Sequence, residues 1–221
     1  MGGGNAPSPF EDPVRVKHGA VKFSIFPLSG AILYPGLQLP LHIFEPRYRE
    51  LVGSALAKDR RIAMIQPQKP AEGAPLYRIG CVGRIGEVEA MEDGRYNIIL
   101  EGESRFHWIR ELDVDTKFRQ VEGELIEDDE NEVLSSIERA GFERQARRFA
   151  DAQGYSVDWD SVQRLDDVSL INGVAQIAPF DAASKQALLE ANTIAERCEL
   201  LIQLMEFFGM SDPGDEIITL Q

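Results

Sequence analysis

Histidine and cysteine, the side chains that most often ligate metals or act as nucleophiles, are few and widely spaced in this sequence. The histidines are His18, His42 and His107, and none has a second histidine two to four positions away, as a typical zinc site does. The two cysteines, Cys81 and Cys198, lie far apart and outside any CxxC spacing. We therefore predict no metal site. We expect two buried thiols in a reducing compartment, which indicates the cytoplasm.

Motifs for nucleophilic catalysis and phosphate binding are also missing. Ser184 and Lys185 are adjacent in a predicted helix, where side chains at neighbouring positions diverge, so a catalytic dyad is not expected. No Gly-Lys dipeptide occurs, which excludes the phosphate loop GxxxxGK[ST]. Gly80, Gly83 and Gly86 interrupt a β-like run, so we interpret them as bulges that bend a strand. We predict a protein that is not an enzyme and has no cofactor.

Charge is unevenly distributed along the 221 residues, whose formal net charge is -14. Residues 1–126 hold 16 Lys and Arg against 17 Asp and Glu, whereas residues 127–221 hold 7 against 20. The run EDDENE at residues 127–132 is interpreted as a solvated hinge. The second part would repel a phosphate backbone.

The hydrophobic period divides the chain into a β part and a helical part. Residues 21–126 contain alternating apolar runs, with a hairpin signal at Asp93-Gly94. Apolar residues then follow a helical stripe from Val133, and later helices have caps at Asp166 or Asp167, at Asp181, and at Thr193 with Glu196. We predict an α+β fold with a flexible terminus at 1–20, a bent β-unit at 21–126, a helical bundle at 127–210 and a tail at 211–221.

The central stretch of the β part, residues 26–52, is apolar but interrupted by four prolines. The pair Pro35-Gly36 is a turn signal, and Pro46 suits the first position of a helix. The apolar side chains here are predicted to be mostly core. Tyr34 and Leu37 flank the turn, and they are the ones that we expect to be exposed.

Several segments resemble the N-terminal domain of Lon proteases: FPL, LYPG, LPLHIFEPRYRELV and RIAMIQPQ, then LYRIGCVGRI, NIILEGESRFHW and PFDAASKQALLEANTIAERCELLIQLMEFF. The resemblance implies a PUA-like, partly open β-barrel with one helix, followed by an all-α helical bundle. The ATPase and Ser–Lys peptidase motifs of full-length Lon are missing from this sequence. The chain therefore resembles a stand-alone, bacterial-type member.

The resemblance further implies a module that binds unfolded or tagged polypeptides through apolar surface on the barrel, with an ATP-dependent protease as a further partner. An edge strand of such a barrel can also add an extended peptide. Our candidate binding residues are Tyr34, Leu37, Leu39, Phe44 and Tyr48. For Leu39 and Phe44 a purely structural role in the core is the preferred interpretation.

Two other functions are weighed against polypeptide binding. RNA binding would use a basic face made of Arg60, Arg61, Arg78, Arg84 and Arg105, and the acidic second part opposes it. A small-molecule or hydrolase site could occupy the junction of barrel and helices, but no catalytic residue can be named for it. A membrane span is not predicted, because no apolar run approaches about 20 residues.

Overall fold

The computed structural model describes residues 19–129 and 131–209, so the predicted terminus at 1–20 and tail at 211–221 lie almost entirely outside it. The strands are β1 (Val21–Pro27), β2 (Gln38–Ile43), β3 (Arg61–Ile65), β4 (Ile79–Ala90), β5 (Tyr96–Glu111) and β6 (Gln120–Leu125). The helices are α1 (Pro46–Leu56), α2 (Ser136–Ala152), α3 (Trp159–Val162), α4 (Asp167–Ile177), α5 (Ala182–Glu190) and α6 (Ile194–Gly209). The predicted α+β fold is confirmed.

The strands form one sheet in the order β2-β5-β4-β3-β1-β6, and β6 also pairs with β5. This second pairing closes β5, β4, β3, β1 and β6 into a small barrel, where the resemblance to Lon N-terminal domains implied a partly open one. The pair β1–β3 is parallel and the other pairs are antiparallel. Among the described strands, β2 pairs with β5 alone, so β2 has an unpaired outer edge.

Glycine bulges bend the long strands of the barrel at Gly83 and Gly86, as predicted, whereas the bulge predicted at Gly80 is wrong because Gly80 pairs in regular register with Phe106. The register of β4 against β5 shifts between Val82 and Gly83, and again between Ile85 and Val88. A Cβ atom at Gly83 would lie 2.5 Å from the Leu100 side chain, so this position has no room for a larger residue. The hairpin predicted at Asp93-Gly94 joins β4 to β5. These bends curl the sheet enough to close.

Helix α1 begins at Pro46, as the sequence predicts. Its N-cap, Glu45, makes no side-chain capping bond, and proline needs no partner for an amide that it lacks. The helix buries Tyr48, Leu51 and Val52 against the apolar residues of the barrel.

The later helices begin at the predicted caps, with one correction. Asp166 and Asp181 each accept a hydrogen bond from the amide three residues on. The stripe predicted from Val133 is wrong at its start, because Ser135 and Glu138 form a capping box that starts α2 there. Val133 and Ile137 are 77% and 86% exposed. The short helix α3 was not predicted.

The barrel and the helices share a packed junction. In the connection between β1 and β2, Ile32 and Tyr34 belong to the core of the helical part, whereas Leu33 belongs to a core of the barrel. All strands lie between residues 21 and 125, and α2 to α6 lie between residues 136 and 209. The division into two domains at residue 126 stays a prediction, because alternate residues of one segment serve both cores.

The acidic linker is engaged with the fold, and its interpretation as a solvated hinge is wrong for two of its members. Asp128 forms an ion pair with Arg105, with a distance of 2.6 Å between Oδ1 and NH2. Glu132 Oε2 accepts the Ile194 amide at the start of α6, at 2.8 Å. The linker carboxylates thus satisfy a buried cation and a helix N-terminus.

Candidate polypeptide-binding surface

Two of the five candidate residues are buried. The expected exposure of Tyr34 is wrong, because the side chain is inserted into the helical core with its ring centroid 5.3 Å from the Arg197 guanidinium carbon. Tyr48 packs edge-on against Phe26, with ring centroids 4.2 Å apart. Neither tyrosine presents surface to a partner in this structure.

Phe44 is the most exposed of the five, and the preferred core interpretation is wrong for it. It follows the last residue of β2 directly and is 60% exposed. Its ring stacks against His42, with centroids 6.1 Å apart and an interplanar angle of 25°. Leu37 and Leu39 are partly buried, against the helical core and a barrel core respectively. The binding role of these residues stays a prediction.

A shallow groove of about 490 Å³ runs beside Phe44 on the outer face of β2, β5 and β4. Its lining residues are Pro40, Leu41, His42, Glu87, Val88, Glu89, Asn97, Ile98 and Ile99. The groove therefore combines apolar side chains with two exposed carboxylates. In the described residues, Glu87 and Glu89 form no ion pair with a cationic side chain.

The polar side chains beside this groove are held by one another. His42 Nδ1 and Asn97 Oδ1 are 2.7 Å apart, and the Asn97 amide donates to Glu89 at 2.7 Å. Arg95 NH1 lies 3.3 Å from His42 Nε2, and Arg95 also pairs with Asp93. The chain thus holds the His42 ring next to the exposed ring of Phe44.

A larger cleft of about 760 Å³ lies between barrel and helices. Its wall includes Glu132, Asp166, Asp167 and the buried Arg197. Asp167 pairs with Arg139, and Arg197 donates to Asn172 Oδ1 and to backbone carbonyls. The cleft thus contains capping and packing groups that are bonded within the protein.

Reactive groups are not assembled in the described part of the chain. Lys185 donates to the Gln176 carbonyl at 3.1 Å, and the Ser184 amide donates to Asp181. Burial raises the pKa of the Cys81 thiol and raises that of Cys198 to about 11, so both thiols stay protonated. Among residues 19–129 and 131–209, no group of three metal-ligating side chains converges. None of the helices there has the length and apolarity to cross a membrane.

The arginines proposed for an RNA-binding face do not form one surface, because Arg78 and Arg105 lie apart from Arg60 and from the register partners Arg61 and Arg84. Arg105 is buried at the junction, and Arg60 donates to the carbonyls of Ile85 and Gly86. Arg61 pairs with Glu103, Arg78 lies over the Trp108 ring, and Arg84 is exposed on β4. Four of the five are thus engaged in contacts within the protein, and the exposed Arg84 stands opposite Glu101 in the register of β4 and β5.

The structure combines a small bent barrel and a helical bundle with apolar and acidic surface beside an open strand edge. Residues 22–206 match the substrate-binding domain of ATP-dependent protease La (LON). This chain belongs to that family.

Similar curated proteins are bacterial Lon proteases. The chain is 30% identical over 180 residues to Lon protease 2 of Syntrophobacter fumaroxidans, covering 76% of this chain and 22% of that protein. It is 24% identical over 191 residues to Lon protease 1 of Hydrogenovibrio crunogenus, covering 82% and 23%. The chain thus spans less than a quarter of the length of these relatives.

Solved structures show the same fold. The Lon N-terminal domain protein from Xanthomonas campestris superposes with a TM-score of 0.65 at 21% identity, covering 83% of this chain and 98% of that one. The N-terminal domain of the Mycobacterium avium complex Lon protease gives 0.64 at 19% identity, covering 84% and 98%.

Proposed function

We propose that this chain is a non-catalytic module that captures unfolded or tagged polypeptides on a surface centred on Phe44. The observation that carries this proposal is the 60% exposure of a phenylalanine directly after an unpaired edge strand. Family membership supports the general role of substrate binding. The exposed ring supports a location for that role on the barrel.

The chemistry of capture is burial of apolar surface. Burying a phenylalanine side chain fully contributes about 1.5–3 kcal/mol, and Phe44 has more than half of its surface still to bury. A contribution of about 1.4 kcal/mol corresponds to a tenfold change in affinity. Leu37 and Leu39 are partly buried, so they supply less new contact area.

The partner and compartment are part of the same proposal. We infer that an ATP-dependent protease in the cytoplasm receives the captured clients. The names of the Lon protease relatives support a link to proteolysis. The buried, unpaired thiols of Cys81 and Cys198 support a reducing compartment. Affinity purification of the chain from the native cell, with identification of the proteins that copurify, tests this inference.

The test of the site compares two exposed apolar residues. Phe44→Ser removes the proposed contact, and Ile137→Ser removes an 86% exposed side chain from α2 as a control. The probe is a reduced, carboxymethylated protein that stays unfolded without denaturant. We expect Phe44→Ser to weaken binding about tenfold and Ile137→Ser to leave it unchanged. Equal binding by both folded variants would contradict the proposed surface.

A further inference from the structure

We propose that the outer edge of β2 binds polypeptide by strand addition, with the main chain of His42 at its centre and a preference for basic side chains. This inference rests on the proposed function and specifies how the client is held. The argument depends on which backbone groups of β2 face away from β5, and on the charges of the neighbouring sheet face.

Two hydrogen bonds show in which direction the backbone groups of β2 point. The Gln38 carbonyl accepts the side-chain amide of Gln176 from α4 at 2.8 Å, so it points away from β5. The Leu37 carbonyl accepts the Gly102 amide at 2.8 Å, so it points toward β5. In an antiparallel strand the backbone N–H and C=O of one residue point to the same side, and the side alternates from residue to residue. The backbone N–H and C=O groups of the even-numbered residues of β2 therefore point away from β5.

The side-chain amide of Gln176 forms hydrogen bonds with backbone groups at and just before the start of β2, as a neighbouring strand would. Its side-chain oxygen accepts the Tyr34 amide at 3.3 Å, while its side-chain nitrogen donates to the Gln38 carbonyl. One primary amide thus supplies the donor and acceptor that a peptide group would supply. The helical part therefore covers the first end of this edge and leaves residues 40–44 uncovered.

The uncovered edge spans about 13 Å, and its polar groups make a specific pattern. Pro40 offers only a carbonyl, whereas His42 and Phe44 each offer an N–H and a carbonyl. Apart from the β2–β5 pairing, residues 40–44 form no backbone hydrogen bond with the described chain. A segment added here would exchange two hydrogen bonds with His42 and would bring its next side chains onto Phe44.

The charge of the adjacent face selects the occupant. Glu87, Glu89 and Glu101 are exposed there, and in the described chain they form no ion pair. Arg84, the register partner of Glu101, and Arg95, which pairs with Asp93 beside His42, also lie here, so four acids against two arginines leave a net charge of -2. Pairing two copies of this edge would bring two sets of these carboxylates together in a protein of net charge -14. An extended segment that alternates apolar and basic residues fits the backbone of this edge. Its basic side chains would be attracted by the net negative charge of the face, whose carboxylates lie on β5 and β4, beyond β2.

The experiment separates the backbone donor from the side chain. His42→Pro removes the outward N–H and leaves the inward bonds to β5 in place, whereas His42→Ala keeps the N–H and removes only the ring. The probe is a capped eight-residue peptide of alternating lysine and valine. We expect His42→Pro to bind it about fivefold more weakly than His42→Ala, which corresponds to one hydrogen bond.

Two further tests do not depend on whether the His42→Pro variant folds. Pro40→Ala adds an outward N–H, and we expect it to tighten binding by a few-fold. On the unchanged protein, a peptide methylated at alternate backbone nitrogens should bind about fivefold more weakly, and a glutamate–valine peptide should bind more weakly still. Hydrogen exchange at His42 and Phe44 should slow when the lysine–valine peptide is bound.

Each contrary outcome has a separate meaning. Suppose that Phe44→Ser weakens binding, that His42→Pro and His42→Ala bind the peptide equally well, and that the methylated peptide binds as tightly as the unmethylated one. Strand addition is then overturned and apolar capture stands. If Phe44→Ser has no effect either, the proposed surface itself is wrong. A glutamate–valine peptide that binds equally well would overturn the charge preference. A dimer of the unchanged chain that His42→Pro dissociates would assign the edge to a second copy.

Discussion

Arg105 of β5 and Asp128 of the acidic linker form an ion pair at the junction of barrel and helices, with NH2 and Oδ1 2.6 Å apart. The arginine is 2% exposed and also donates to the carbonyls of Leu189, in the last turn of α5, and Ala191, directly after that helix. One side chain therefore connects the barrel, the linker and a helix C-terminus, where a cation is favoured.

Arg105→Ala should destabilise the fold strongly, because it leaves two carbonyls and a carboxylate without their cation. We expect a loss of about 3 kcal/mol in the free energy of unfolding, measured by urea denaturation. Asp128→Asn should cost less, about 1 kcal/mol, because the partly exposed carboxylate is replaced by a group that can still accept a bond. A larger loss for Asp128→Asn than for Arg105→Ala would contradict this account.

Tyr34→Phe should leave stability unchanged or raise it by up to about 1 kcal/mol. The hydroxyl is buried without a hydrogen-bond partner among the described residues, so its removal costs no bond and relieves desolvation. The control is Tyr48→Phe, whose hydroxyl donates to the Pro27 carbonyl at 3.4 Å. Thermal unfolding of both variants tests the prediction, and a clear loss at Tyr34 alone would show that its hydroxyl is bonded in solution.

The same substitution should have opposite effects at two glycines. Gly53→Ala lies in α1 with nothing within 4 Å of the new methyl group, so we expect a gain of about 0.5–1 kcal/mol. Gly102→Ala would push a methyl group into the backbone of Tyr34 and Pro35, so we expect a loss of at least about 2 kcal/mol. Chemical denaturation measures both. Similar changes at the two sites would refute the close approach at Gly102.

The cap of α4 should make stability depend on pH. Hydrogen bonds from the Ser169 amide and hydroxyl hold the pKa of Asp166 below its usual value. A carboxyl whose pKa is lower in the folded state stabilises above its unfolded pKa of about 4, and this contribution is lost as the pH falls through the folded value. Asp166→Asn keeps an N-cap that cannot titrate. Its stability should therefore fall less steeply below about pH 4 than that of the unchanged chain, and parallel curves would contradict the prediction.

Local signals in the sequence predicted much of this fold correctly. Pro46, the Asp93-Gly94 turn and the Asp181 cap act on backbone groups within a few residues, so their effects can be inferred without knowing the rest of the chain. Ser135 with Glu138 carries the same kind of signal, and recognising it would have placed the start of α2 correctly.

The candidate surface was harder to predict, because exposure depends on distant residues. Tyr34 and Phe44 are both aromatic residues in one proline-rich stretch, yet the first is buried by α4 and α6 of the helical part and the second is uncovered. Likewise, nothing near Gln38 in the sequence indicates that Gln176 covers its carbonyl.

The amino-acid sequence by itself determined the α+β class, the turns and caps, and the family, because these follow from residue types at short and regular spacings. Only the tertiary structure decided which edge of the sheet stays unpaired, which aromatic ring faces solvent and where the linker acids bind. Those properties arise when the barrel and the helices pack together, since packing buries some surfaces of each part and leaves others open.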